Sequence, residues 1–227
     1  MKPVRDFIWG RHDPYRQFAG QPNPAGLQGW YSDHPIFERL ITELRPRRIA
    51  EVGTLFGASA VHMARIVQRL DLDAEITCVD TFLGSRESFF EIKMFRDDML
   101  ARGHYSYFEE FLGNVKSADC QHTITPFPMT STNAARIFQQ RGLQFDLVYI
   151  DASHEYQDVL GDLRIWWPLV APGGVLFGDD FEEPWFEIIR AGLEFADEIG
   201  QKVQIHRAYA SSPAGGRENT KFWFRKP

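Results

Sequence analysis

Short apolar runs that alternate with amphipathic helical segments constrain the fold of this chain more than any other feature. Five runs have the character of buried strands: RRIAEVG (47–53), EITCVD (75–80), HTITPF (122–127), FDLVYID (145–151) and VLFGDD (175–180). The segments between them repeat apolar residues with the period of a helix, and the helices are expected at 35–44, from 57 onward, and at 131–140, 155–170 and 184–199. This alternation predicts an α/β fold, with a mostly parallel sheet and helices on both faces.

Three segments depart from the simple alternation. Residues 1–34 are rich in glycine, proline and aromatic residues without a clear period, so an irregular N-terminal segment is expected ahead of a single domain at 35–227. Residues 82–116 predict a helical insert after the second strand, placed to act as a lid. VQIHRAYA (203–210) and KFWFRK (221–226) predict two further strands, which gives seven in total with an antiparallel C-terminal strand.

Charge and composition narrow the class of partner. The formal net charge of −6 argues against a nucleic-acid or membrane partner held by electrostatic attraction. No apolar run approaches the roughly 20 residues of a membrane helix, and the N-terminus lacks the pattern of a secretory signal. Cys78 and Cys120 form no CxxC pair, which favours reduced thiols and a cytoplasmic location. The sequence leaves a homo-oligomer open.

Polar residues gather where the predicted strands end, which is where parallel sheets bind ligands. The first strand ends in a glycine turn that leads into a helix, IAEVGTLFGASAVHMA (49–64). Such a turn approaches a ligand closely and offers free N–H groups to an anion. No lysine follows Gly57, which excludes the phosphate-binding loop, and the spacing of Gly53 and Gly57 is not that of a nicotinamide-binding turn. A nicotinamide oxidoreductase is therefore disfavoured.

Taken together, these motifs resemble the class I S-adenosylmethionine-dependent methyltransferases over about residues 35–200. The narrower resemblance is to the metal-dependent O-methyltransferases of the catechol type, and to a subgroup that acts on sugars and natural products. It is carried by YIDASHEYQDVLGDLRIWWPLVAPGGVLFGDD (149–180). The resemblance implies a Rossmann-like sheet and O-methylation of a small-molecule acceptor, with S-adenosylmethionine and Mg²⁺ or a similar divalent cation as cofactors.

The resemblance also assigns the residues that bind the cofactor. Gly53 and Gly57 would let it pass over the first strand, and Ser59 would hold the methionyl carboxylate. Glu51 would lie near the methionyl ammonium, and Asp80 would accept hydrogen bonds from both ribose hydroxyls. Helix capping is the alternative role for Ser59, and a cap or a loop-start acid for Asp80.

Ser131 stands where the resemblance places a contact to the adenine edge. A helix cap for residues 131–140 is the equally plain alternative.

Three acids follow the fourth and fifth strands, Asp151, Asp179 and Asp180. Adjacent strands would bring the carboxylates together, and clustered negative charges repel unless a cation or a proton intervenes. A hard divalent ion with oxygen ligands resolves the repulsion, so these acids are the predicted metal ligands. The catechol type has Asp, Asp and Asn at these positions. Solvation of the strand ends and contact with the cofactor are the alternatives.

His154 comes three residues after Asp151, at the offset where the catechol type carries a lysine base. A neutral imidazole can take a proton near neutral pH, so His154 is the predicted general base, with Asp151 beside it in the catalytic site. Metal ligation and a structural hydrogen bond remain alternatives. Glu155 is expected to act as a favourable charge at a helix N-terminus.

Aromatic residues around the predicted rim are candidates for the acceptor pocket, although each could instead pack the core. They are Trp30, Tyr31, Phe82, Phe89, Phe90, Met94, Tyr105, Tyr107 and Trp185. Closing the site against water favours such a pocket for methyl transfer. The rival function is an accessory or binding protein of a biosynthetic pathway, with the methyltransferase fold but without methyl transfer.

Overall fold

A sheet of seven strands forms the centre of the molecule. The structure is a computed structural model, and it describes residues 3–16, 18, 29–86, 90, 93–105, 107–213 and 215–227. The strands are β1 (Arg48–Val52), β2 (Glu75–Asp80), β3 (Ile124–Pro128), β4 (Phe145–Ile150), β5 (Val170–Gly178), β6 (Gln204–Ala210) and β7 (Arg217–Arg225). Their order is β3-β2-β1-β4-β5-β7-β6. Strands β1 to β5 pair in parallel, and β7 runs antiparallel to both β5 and β6. The predicted Rossmann-like α/β fold with an antiparallel C-terminal strand is confirmed.

Helices cover both faces of the sheet. They are α1 (Val4–Trp9), α2 (Ile36–Leu44), α3 (Ala58–Arg69), α4 (Lys93–Arg102), α5 (Tyr107–Ser117), α6 (Ser131–Gln140), α7 (Tyr156–Trp166) and α8 (Phe186–Glu198), with a 3-10 turn at Trp167–Leu169. One apolar cluster joins the sheet to α2, α3 and α5, and a second joins it to α6, α7 and α8. Helices α4 and α5 are the described helices of the insert after β2. No helix among the described residues is both long enough and apolar enough to span a membrane.

The N-terminal segment is less irregular than the sequence suggests, because residues 4–9 form α1. The backbone N–H of Val4 donates to Glu75 Oε2 at 2.7 Å, and the indole N–H of Trp9 donates to the carbonyl of Pro126 at 2.8 Å. These two contacts anchor the helix at the edge formed by β2 and β3. A helix this short has too few turns to show a period in the sequence.

Several other boundaries shift for local reasons. Helix α7 changes to a 3-10 turn after Trp166, where Pro168 cannot donate a backbone N–H. Strand β5 begins at Val170, earlier than predicted, because Gly173 and Gly174 exchange backbone hydrogen bonds with Lys226. Helix α8 begins at 186 rather than 184, and β7 begins at 217 rather than 221.

The register of the central strands places their carboxyl ends side by side. Tyr149 of β4 lies opposite Glu51 of β1 and Phe177 of β5, and Phe177 lies opposite Trp223 of β7. The next pair is Gly178 with Phe222, where an added Cβ on the glycine would lie 2.4 Å from the phenylalanine ring. The residues just beyond these pairs therefore meet at one rim of the sheet.

Candidate active site

The glycine turn after β1 holds the backbone of that strand against the end of β4. Gly53 has φ +82°, and a Cβ there would lie 2.0 Å from the carbonyl oxygen of Asp151. Gly57 has φ +85° and donates its N–H to Thr54 at 2.7 Å, directly before α3 begins. Both positions require glycine. The first N–H groups of α3 have no partner within the helix, so the predicted anion-binding turn has the expected form.

Glu51 lies fully buried beneath this turn. Its carboxylate accepts hydrogen bonds from the hydroxyls of Thr54 (2.8 Å) and Ser59, and from the thiol of Cys78 (3.3 Å). Burial raises the pKa of Glu51 to about 7, and these donors offset part of that rise. The Ser59 hydroxyl is thus bonded to Glu51. Ser59 is not the N-cap of α3, because Gly57 holds that position.

The carboxylate of Asp80 is bonded mainly to backbone. Its Oδ2 accepts the N–H groups of Thr54 (2.9 Å) and Leu55 (3.0 Å), and its Oδ1 accepts that of Phe82 (2.8 Å). A carboxylate offers about four acceptor positions, so about one remains for a ligand. Asp80 therefore ties the glycine turn to the loop after β2, and it is only partly free for the predicted ribose contact.

Ser131 lies at the start of α6, but it does not cap the helix. The cap is Thr130, whose side chain accepts the N–H of Asn133 at 3.3 Å. The Ser131 hydroxyl donates to the buried carboxylate of Asp162 and accepts from the indole of Trp166 at 2.8 Å. Burial raises the pKa of Asp162 to about 6. The capping alternative is wrong, and an adenine contact would have to use the remaining polar atoms of Ser131.

The three predicted metal-binding acids do not have equivalent surroundings. Asp179 faces the ammonium of Lys221, with which it forms a buried ion pair. The Tyr149 hydroxyl lies 2.9 Å from Oδ2 of Asp179 and 2.9 Å from Oδ2 of Asp151. Asp180 has a left-handed backbone conformation, φ +53°, that residues other than glycine seldom adopt.

Within the described ranges, Asp151, His154 and Asp180 form a group of side chains that could hold a metal ion. One ligand atom from each lies within 4.8 Å of the others. The His154 Nε2 lies 3.3 Å from Oδ2 of Asp180, and the imidazole packs on the indole of Trp185 with ring centroids 4.3 Å apart. The structure thus brings together two of the three predicted ligands and the predicted base.

The electrostatics of this group favour a cation. Burial, and next the negative charge of Asp179, raise the pKa of Asp151 to about 7. The same two causes raise the pKa of Asp180. Carboxyl groups held in this way ionise at a cost that a bound cation removes.

Asn219 of β7 supplies a further observation that fits a metal ion. Its Nδ2 donates to Oδ1 of Asp180 at 3.2 Å. Its Oδ1 is buried and has no hydrogen-bond partner among the described residues. An orphaned amide oxygen beside a carboxylate is costly without a positive partner. Two carboxylates, an imidazole and this oxygen suit a divalent cation.

The predicted pocket residues divide into core and rim. Phe82 packs against Phe108 and Phe111 and is buried, as is Tyr107, so the packing alternative is correct for both. Tyr31 is buried and accepts a hydrogen bond from Arg217, Tyr105 packs on Tyr107, and Trp30 and Phe90 are exposed. Phe89 and the side chain of Met94 lie outside the described residues. Of these predicted pocket residues, Trp185 packs on His154, a member of the acidic group formed by Asp151, His154 and Asp180.

The segment after β2 contacts the residue that precedes α7. Arg86 forms an exposed ion pair with Glu155, the residue that precedes α7. Glu155 is the N-cap residue of α7. Its negative charge therefore lies close both to the N-terminus of the helix and to the guanidinium of Arg86.

Lys221, Tyr149 and Asn219 belong to the site but were not singled out from the sequence as site residues. Lys221 and Asn219 lie on β7, which returns antiparallel from a distant part of the chain. The one sequence feature that points to Lys221 is its position at the start of the apolar run KFWFRK. In the structure its side chain is fully buried, which is unusual for a lysine.

Comparison with known proteins places these features in a family. A family of methyltransferase domains matches residues 50–181. The uncharacterized protein y4gI of Sinorhizobium fredii (strain NBRC 101917 / NGR234) is 28% identical over 182 residues, which cover 75% of this chain and 18% of that protein. The chain therefore spans less than a fifth of the length of this relative.

Solved structures with the same architecture include two O-methyltransferases. The enzyme from Bacillus cereus, solved in complex with SAH, superposes with a TM-score of 0.60 at 15% sequence identity. The alignment covers 94% of this chain and 96% of the Bacillus cereus chain. TomG from Streptomyces achromogenes, involved in tomaymycin synthesis and solved with SAM, has a TM-score of 0.59 at 14% identity, with 100% of both chains covered. At these identities the likeness establishes a shared fold.

Proposed function

Because the chain belongs to the family of methyltransferase domains, we propose that it transfers a methyl group from S-adenosylmethionine to a hydroxyl group of a small molecule, assisted by a divalent metal ion. The proposed acceptor is a sugar, a catechol-like compound or another natural product. One observation carries the proposal: ligand atoms of Asp151, His154 and Asp180 lie within 4.8 Å of one another at the strand ends, next to the glycine turn. The solved relatives described as O-methyltransferases support the choice of oxygen as the methyl acceptor.

The residues around the glycine turn fit the cofactor. The N–H groups at the start of α3 suit the methionyl carboxylate, and Asp80 has an acceptor position left for the ribose. Glu51 is buried, so it acts on the methionyl ammonium through its charge and through the Thr54 and Ser59 hydroxyls. When bound, S-adenosylmethionine supplies a methyl group on a positively charged sulfur.

Asp151 and Asp180 are the side chains that would hold Mg²⁺ or a similar divalent cation. A bound cation supplies positive charge that lowers the pKa of the acceptor hydroxyl. Carboxylate oxygens suit Mn²⁺ as well as Mg²⁺, so Mn²⁺ can serve as the probe for this site.

His154 is the proposed general base. Its imidazole would take the hydroxyl proton, and the carboxylate of Asp180, 3.3 Å from Nε2, would stabilise the imidazolium that forms. The contact with Trp185 fixes the plane of the ring. The insert after β2 is the proposed lid, and the ion pair between Arg86 and Glu155 supports this role because it joins the two segments.

Calorimetry with SAH and a methylation assay with radiolabelled S-adenosylmethionine test the proposal. Well-folded protein should bind SAH, and methylation of a vicinal diol should fall by about a hundredfold or more in EDTA and in Asp180→Ala. Folded protein that binds no SAH would exclude the cofactor, and unchanged activity in EDTA would exclude the metal.

The role of His154 can be separated from metal ligation. For a base, His154→Gln should lower kcat by about a hundredfold or more and leave the Mn²⁺ affinity of the protein unchanged. For a ligand, the same substitution would weaken Mn²⁺ binding in the absence of any substrate.

A second candidate, a binding protein without methyl transfer, is favoured by one observation. The Ser59 and Ser131 hydroxyls and most of the Asp80 carboxylate are already bonded within the chain. If SAH does not bind although the protein is folded and captures an acceptor, this second function replaces the first.

The cytoplasm is the proposed location, since Cys78 and Cys120 are both free and buried, as reduced thiols would be. The absence of nucleic-acid and membrane partners and the homo-oligomer stay predictions, and light scattering would measure the oligomeric state.

A further inference from the structure

Three buried side chains next to the acidic group, those of Lys221, Tyr149 and Asp179, contact one another, and the activity proposed above does not use them. Lys221 is fully buried in β7, and its ammonium pairs with the carboxylate of Asp179. The same ammonium lies 3.3 Å from the Tyr149 hydroxyl oxygen, and 5.4 Å and 5.3 Å from the ring centroids of Phe37 and Tyr149. A buried ammonium must keep a negative partner, because desolvating an unpaired charge is very costly. Asp179 is therefore the negative partner that the buried Lys221 ammonium requires.

The single proton of the Tyr149 hydroxyl has two neighbouring acceptors. Oδ2 of Asp151 and Oδ2 of Asp179 each lie 2.9 Å from the phenol oxygen. Asp179 already accepts from the Lys221 ammonium, whereas no ammonium is paired with Asp151 among the described residues. The Tyr149 hydroxyl is therefore expected to donate its hydrogen bond to Asp151. This gives a chain of donation from Lys221 to Tyr149 and from Tyr149 to Asp151.

The charges of the group support the same assignment. Three carboxylates and one ammonium, those of Asp151, Asp179, Asp180 and Lys221, leave two negative charges. A single divalent cation balances them. The ammonium thus neutralises one acid internally, and the other two face His154.

We propose that Asp179 is the internal counter-ion of Lys221 and not a metal ligand, and that Tyr149, whose proton is directed away from Asp179, positions Asp151 to bind the cation. This inference rests on the metal part of the proposed function. It replaces the expectation that Asp151, Asp179 and Asp180 all bind the metal.

The test is a titration of cofactor-free protein with Mn²⁺, followed by electron paramagnetic resonance. The central variant is the double substitution Asp179→Asn with Lys221→Met. It removes one charge of each sign, so the net charge stays the same and no buried ion is left without a partner. If Asp179 is not a ligand, the double variant should bind Mn²⁺ within about threefold of wild type, whereas Asp180→Asn should lose about a hundredfold or more.

Tyr149→Phe tests the positioning step. Loss of the phenol bond to Asp151 should weaken Mn²⁺ binding by about tenfold, as removal of a residue that orients a metal ligand does. Circular dichroism confirms the fold of each variant, and a purely structural role for Tyr149 would leave the Mn²⁺ affinity of the folded variant unchanged.

The outcomes distinguish a failure of this inference from a failure of the proposed function. If wild-type protein binds Mn²⁺ and the double variant loses as much affinity as Asp180→Asn, Asp179 is a ligand and the inference is overturned alone. An unchanged affinity in Tyr149→Phe overturns the positioning step. If wild-type protein does not bind Mn²⁺, the metal part of the proposed function is wrong and this inference is overturned with it.

Discussion

The rim of the sheet has two halves that are built in different ways. The turn half, at the ends of β1 and β2, consists of the glycine turn, Glu51 and Asp80, and its two carboxyl groups accept most of their hydrogen bonds from within the chain. The acid half, at the ends of β4, β5 and β7, holds Asp151, Asp180, His154 and Asn219. It holds a buried amide oxygen that has no hydrogen-bond partner in the described part of the chain, and carboxyl groups of raised pKa. Groups left unsatisfied by the chain indicate where an outside charge is needed.

The largest effect is expected in the turn half, where the chain has least room. Gly53→Ala should destabilise the protein by about 3 to 5 kcal/mol, because the added Cβ overlaps the Asp151 carbonyl and φ is positive. Chemical denaturation measures the change. Gly142→Ala, with positive φ and open space around it, should cost only about 1 to 2 kcal/mol. Equal losses in both variants would show that the turn is not held tightly against β4.

The next effect concerns the pH dependence of the turn half. The pKa of Glu51 is about 7 in the folded protein and near 4.5 in an unfolded chain, so the folded state binds the proton more tightly. Stability should therefore fall as pH rises from about 4.5 to about 7, by up to about 3 kcal/mol. Unfolding free energies across this range, compared with those of Glu51→Gln, isolate the contribution. Parallel curves for the two proteins would contradict a protonated Glu51.

A smaller effect is expected from Asn219 in the acid half. If its orphaned oxygen faces the cation, Asn219→Ala should weaken Mn²⁺ binding by about tenfold. Electron paramagnetic resonance gives the affinity, and Asn133→Ala, at an exposed position on α6, is the matched control. An affinity equal to that of the control variant would show that Asn219 serves only to hold Asp180.

The smallest effect is expected where the two halves are linked by the insert. The ion pair of Arg86 with Glu155 is exposed, so Arg86→Gln should shift Tm by less than about 2 °C. Arg69→Gln, which breaks another exposed pair with Glu38, is the control. A markedly larger shift for Arg86→Gln would mean that the insert is clamped to the acid half.

The fold could be predicted from the sequence because its main signals are local. The alternation of strands and helices, the glycine turn and the return strand all follow from short-range patterns. Asp151, His154 and Asp180 could be grouped because parallel strands end at one rim. Their grouping is the part of the metal prediction that the structure supports.

The partner of Asp179 could not be predicted. Its position depends on the register between β5 and β7, two strands separated by a helix and another strand. Lys221 stands at the start of an apolar run in the sequence, although its side chain is fully buried against Asp179 in the structure. The same limit applies to Asp80, whose bonds to Thr54 and Leu55 depend on how the loop after β1 folds back.

The position of β7 between β5 and β6 has a consequence for biosynthesis. Residues 217–225 are made after every other strand, yet they enter the interior of the sheet. A nascent chain that lacks them exposes the unpaired edge of β5 and leaves Asp179 without its ammonium. The proposed cation site borders β7, so we expect it to be complete only once this segment has been synthesised and has paired with β5.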